Sequence, residues 1–81
     1  AQPMASHDRR FRVTYNGEIY NSDELRRELT TRGVLFQGAS DTETLVEAIA
    51  TWGIDRTLER LRGMFAFAVW DSHTQTLTLA R

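Results

Sequence analysis

The run Met64-Phe65-Ala66-Phe67-Ala68-Val69-Trp70 constrains the fold more than any other stretch. It is apolar at both parities, and a strand of that kind is expected to be covered on both faces inside a layered structure. Asp71-Ser72-His73-Thr74-Gln75 then reads as a turn, with Thr76 to Ala80 returning as a partner strand. Upstream, Phe11, Val13 and Tyr15 alternate with polar residues and place one apolar face on a strand over Arg10 to Tyr15. Helical patterns lie between these strands, so the expected class is α+β, with the buried strand's sheet packed on sheet or helix.

Three helices are expected. In the first, Ser22 to Arg32, Leu25 and Leu29 lie one turn apart, with Asn21 and Glu24 in capping-box spacing and Gly33 as terminator. Asp23 with Arg27 and Glu28 with Arg32 form i, i+4 pairs on a solvated face. Val34-Leu35-Phe36 reads as a brief strand. Ser40 and Glu43 repeat the capping box, and Asp41 stands in the first turn of the second helix, where the helix dipole favours an acid. Leu45, Ala48, Ile49 and Trp52 make that helix's apolar stripe, which Gly53 stops. Ile54, Leu58 and Leu61 repeat the spacing in a short third helix ended by Gly63. Trp52 and Trp70 are read as core or boundary aromatics.

Ten basic and eleven acidic side chains among 81 residues leave a formal charge of −1, which points to neither nucleic acid nor an anionic membrane. No apolar run is long enough to span a bilayer, and no leader is visible, so a soluble, cytoplasmic protein is expected. There is no cysteine for disulfides, and the two histidines, His7 and His73, fall in turn-like segments without partners at ligand spacing; no metal site is expected. Residues Ala1 to Arg9 read as polar and turn-like. The chain opens on Ala1-Gln2-Pro3-Met4 and closes inside a strand-like run at Leu79-Ala80-Arg81, the pattern of an internal fragment.

Chemistry is concentrated in Tyr15-Asn16-Gly17-Glu18-Ile19-Tyr20-Asn21. Asn16 offers an amide donor, Gly17 an unshielded backbone N–H and Glu18 an anionic acceptor, a set able to hold a small polar molecule. Asn-Gly between alternating apolar residues is equally the signal of a two-residue hairpin turn. Asp41 likewise reads either as a helix-start acid or as a ligand contact. Spacing leaves both alternatives open.

Three stretches in order, Tyr-Asn-Gly-Glu-Ile-Tyr-Asn at 15–21, Ser-Asp-Thr-Glu at 40–43 and Gly-Met-Phe-Ala-Phe-Ala-Val-Trp-Asp at 63–71, resemble the class II, N-terminal-nucleophile glutamine amidotransferase domain of glutamine-hydrolysing asparagine synthetases. The Gln2-Pro3-Met4 opening fits that resemblance as well. It implies part of a four-layer αββα sandwich over 1–81, with Asn16 and Gly17 as the oxyanion hole and Glu18 and Asp41 as the groups that hold glutamine. It also implies a parent enzyme whose cysteine nucleophile, at the very N-terminus, lies upstream of Ala1. A C-terminal synthetase domain using ATP and Mg²⁺ would follow Arg81, with no cofactor in the fragment itself. Without any cysteine, the 81 residues alone are expected not to hydrolyse glutamine. The alternative is a truncated or degenerate domain with a structural or interaction role. A fragment of such a fold is expected to leave unpaired strand edges and uncovered apolar faces, notably around Met64 to Trp70, and these favour a homo-oligomer of the fragment.

Overall fold

A computed structural model describes residues 3–81; Ala1 and Gln2, with which the expected N-terminal loop and the Gln-Pro-Met opening begin, lie outside the described residues. Four antiparallel strands form one sheet in the order β1 (Met4–Ala5), β2 (Phe11–Ile19), β3 (Gly63–Asp71) and β4 (Thr76–Ala80). Between β2 and β3 the chain makes α1 (Ser22–Thr31), α2 (Asp41–Trp52) and α3 (Ile54–Arg60). The class is α+β, as expected.

Strand alternation decides which side chains the helices cover. Phe11, Val13 and Ile19 of β2 share a face with Phe67 and Val69 of β3, and all five are at most 5 % exposed. The α2 stripe of Leu45, Ala48 and Ile49 is fully buried, and Leu45 and Ile49 pack with these strand residues and Leu25 of α1 in one core. Burial of each large apolar side chain contributes about 1.5–3 kcal/mol relative to its exposure. At the far end of the same face, Asp71 is buried and takes two hydrogen bonds from Arg10, at 3.0 and 2.9 Å. The fork of the guanidinium holds the Asp71 carboxyl well below the usual carboxylate range, with the amides of His73 and Thr74 adding to the effect.

Several local expectations are corrected. The Asn16-Gly17 pair is no hairpin corner: β2 runs straight through it, with Asn16 opposite Ala66 and Gly17 opposite Phe65. The N-terminal segment is not wholly loop, since Met4 and Ala5 pair with Val13 and Arg12. Val34-Leu35-Phe36 forms no strand; Phe36 instead lies under the Arg26 guanidinium, 4.2 Å from its ring centroid. Asn21 precedes α1 without capping it through its side chain. Its amide donates to the Arg60 carbonyl at 2.8 Å and accepts from the Arg62 N–H at 3.0 Å, so it ties the β2–α1 crossing to the α3–β3 crossing. Glu28 pairs with Arg60 rather than with Arg32.

β3 shows the uncovered apolar face expected of a fragment around Met64 to Trp70. Its even-numbered residues face away from the helices; Ala68 is half-buried, while Met64 and Trp70 are 74 % and 40 % exposed, with Leu77 and Leu79 of β4 on the same face. The run is apolar on both faces as read, but within the described residues only the helix side is covered.

Candidate functional site

Gly17 is the point on β2 where sequence and geometry are most tightly linked. Its φ is +124°, a region that L side chains rarely adopt, and an added Cβ would collide with the Met64 carbonyl oxygen and sit 2.7 Å from the Phe65 Cα. Glycine is therefore required twice over, by its own conformation and by the close approach of β3. Asn16 and Glu18 flank it, both exposed and both at the parity of the open face. Asn16 borders a shallow concavity of about 310 Å³ with Thr14, Ala66, Ala68 and Leu79.

Asp41 approaches the same strand from the helices. It is the first residue of α2, and Ser40 caps that helix by accepting from the Glu43 N–H at 3.2 Å. The capping box is only half formed, because the Glu43 carboxylate turns to the amides of Gln37 and Gly38, at 2.7 and 2.9 Å. Arg26 of α1 completes the anchorage of the 37–40 loop. It donates to the carbonyls of Gly38 and Ser40, both at 2.8 Å, and to the Thr44 hydroxyl at 2.7 Å. The N-terminus of α2 is thus fixed from two sides, and with it the origin of the Asp41 side chain.

The Asp41 carboxylate spans the central stretch of β2. Its Oδ2 accepts from the Ile19 N–H at 3.3 Å and lies 3.5 Å from the Tyr15 hydroxyl. Those two residues bracket Asn16-Gly17-Glu18. Asp41 therefore lies beside the segment that carries Asn16, Gly17 and Glu18, but on the helix side of the strand, whereas the side chains of Asn16 and Glu18 take the opposite parity. Burial first, and then the neighbouring Asp41 carboxylate, push the Tyr15 phenol up to about 12, so it keeps its proton across the physiological range and serves as a donor.

Tyr15 and Arg26 are the two participants that sequence reasoning missed. Tyr15 reads as a core-facing strand residue, and the available signal was its phenol, which needs a polar partner when partly buried. Arg26 sits on a helix whose charges suggest a solvated face; its contacts lie on another element and have no local signature.

A second concavity, of about 630 Å³, lies between β1 with its following loop and the 37–40 loop; Glu43, Glu47, His7 and Arg9 line it. Glu47 is buried there and accepts from the His7 backbone N–H at 3.1 Å, and burial raises its carboxyl above the ordinary value. Among the described residues no group of three or more His, Cys, Asp or Glu side chains is placed to hold a metal ion. No helix there is long and apolar enough to cross a membrane.

Comparison with known proteins gives this geometry a context. The chain is 44 % identical over 82 residues to asparagine synthetase [glutamine-hydrolyzing] 3 of Bacillus subtilis, an alignment that covers 99 % of this chain and 13 % of that protein. It is 48 % identical over 73 residues to a putative asparagine synthetase [glutamine-hydrolyzing] of Mycobacterium tuberculosis, covering 89 % of this chain and 11 % of the relative. The chain therefore spans only about an eighth of the length of the curated relatives it matches. Among solved structures, the glutamine phosphoribosylpyrophosphate amidotransferase of Bacillus subtilis superimposes with a TM-score of 0.71 at 26 % identity, over 88 % of this chain and 17 % of that one. The sheet and helices thus correspond to part of the amidotransferase sandwich expected from the sequence. The family model for the glutamine amidotransferase domain matches residues 1–81, and the chain belongs to that family.

Proposed function

We propose that this chain forms the oxyanion and substrate-holding part of a glutaminase site, which releases ammonia from glutamine for asparagine synthesis. The observation that carries the reading is the Asp41 carboxylate, fixed at the start of α2 and fastened to Tyr15 and Ile19 on either side of Asn16-Gly17-Glu18.

In this reading the Asn16 side-chain amide and the Gly17 N–H donate to the oxygen of the substrate carboxamide as it becomes an oxyanion. Both donors are neutral and are carried on a strand paired along its length with β3, so little reorganisation accompanies the appearance of charge. Asp41 pairs with the substrate α-ammonium, and Glu18 helps hold the same end of the molecule. The 81 residues contain no cysteine, so the attacking thiol comes from a segment outside them. Its addition to the carboxamide carbon gives the tetrahedral oxyanion; ammonia leaves, and water then converts the thioester to glutamate. The isolated chain would hold glutamine without cleaving it. Use of the ammonia, with aspartate as acceptor and ATP and Mg²⁺ as co-reactants, belongs to a synthetase domain beyond Arg81.

The test is ammonia release from glutamine by the full-length protein that carries this chain. Asn16→Ala should lower kcat by about 10²–10³-fold. An unchanged rate would remove the oxyanion role, and a parent that releases no ammonia would leave the structural reading of the domain.

A further inference from the structure

We infer that Tyr15 is a positioning residue for substrate recognition: its hydroxyl, together with the Ile19 N–H, fastens one oxygen of Asp41 so that the other faces the α-ammonium of the amino-acid substrate. The inference rests on the assignment of Asp41 proposed above and adds a residue to it.

The geometry is specific. Both contacts fall on Oδ2, at 3.5 Å from the Tyr15 hydroxyl and 3.3 Å from the Ile19 N–H. Neither contact uses Oδ1. A carboxylate held by one long-range contact alone could rotate about its terminal torsion, which is broad and soft. Two donors that arrive from residues four apart on one strand remove that freedom. The 3.5 Å separation is at the outer limit for an O–H···O bond, so the Ile19 N–H is the closer of the two donors to Oδ2. Tyr15 is also suited to the task because it cannot easily move: it is partly buried and packs against the core beneath β2. Its hydroxyl stays protonated at any working pH, so it donates and never repels the carboxylate.

Tyr15→Phe in the full-length protein tests this while keeping the ring and its packing. Loss of the donor should raise KM for glutamine roughly tenfold, the value of one hydrogen bond to a charged group at the weak end of the range, with kcat within about twofold. The competitive inhibition constant of 4-carbamoylbutanoate, which is glutamine without its ammonium group, should not move. In an Asp41→Asn background, Tyr15→Phe should have no further effect on KM. Equal weakening of glutamine and 4-carbamoylbutanoate, or a fall in kcat alone, would show that Tyr15 acts through the fold and would overturn the inference. If Asp41→Asn selectively weakens glutamine while Tyr15→Phe leaves it unchanged, the inference fails and the Asp41 assignment survives. If Asp41→Asn has no effect on glutamine, both fall together.

Discussion

On the helix-bearing side of the sheet, Val13 and Val69 lie opposite one another at no more than 1 % exposure; on the other side, Met64 and Leu79 are each 74 % exposed. The central strands β2 and β3 contribute to both surfaces, with β4 adding Leu79 to the open one, and a single-residue step along β2 or β3 crosses from one face to the other. Cohesion of the chain therefore resides on one side, through α2 and its stripe. Two of the proposed site's polar side chains, Asn16 and Glu18, stand on the other. Residues on the open side are free of packing demands within this chain, so their identity can answer to chemistry; residues on the helix side answer first to volume.

That contrast can be broken by substitution. Ile49→Ala empties a fully buried place above the strands and should cost about 2–5 kcal/mol in urea unfolding. Gly17→Ala comes next, at about 1–3 kcal/mol or more, since it forces a side chain into a left-handed conformation and against the backbone of β3. A loss smaller than that of an ordinary surface change would mean that β2 and β3 separate here without penalty.

Acid sensitivity should follow, graded with pH. The folded-state pKa of Asp71 is depressed by Arg10, so the stability it contributes is present above the unfolded carboxyl value near 4 and is lost as pH falls further, toward the folded value. Glu47 acts in the opposite sense: burial raises its pKa, so its ionisation with rising pH weakens the fold. Asp71→Asn should flatten the decline in melting temperature below about pH 4. The smallest effect belongs to the open face, where Leu79→Ser should change stability by no more than about 0.5 kcal/mol. A loss of several kilocalories there would show that another layer covers that face in the protein measured.

How much of this was legible in the sequence depends on the range of the interaction. The Phe11, Val13, Tyr15 alternation, the α2 stripe, the Ser40 cap and the Asp71–Gln75 reversal are local patterns, and each appears where its period or turn chemistry places it. Asn16-Gly17 carried a strong local turn signal that was overridden, because β3, arriving from beyond three helices, pairs along all of β2 and holds it straight. The apolar even face of β3 signals a strand made for cover on both sides, and apolarity reports only that preference for burial and not what is present to provide it. Asn21 and Tyr15 were misread or missed for a common reason. Their partners, Arg60, Arg62 and Asp41, lie on other elements, and no spacing rule joins them.

One amide group closes the end of the sheet nearest the site. The Asn21 side chain donates to the Arg60 carbonyl and accepts from the Arg62 backbone N–H, beside a backbone bond in which the Tyr20 N–H donates to the Arg62 carbonyl at 2.7 Å. That arrangement works only while the side chain carries both a nitrogen and an oxygen. Replacing the amide by a carboxylate at this position would set an oxygen against the Arg60 carbonyl and break that tie, while the Arg62 N–H would keep an acceptor. Chemical ageing of a single side chain would thus remove one of the two side-chain ties between the β2–α1 and α3–β3 crossings.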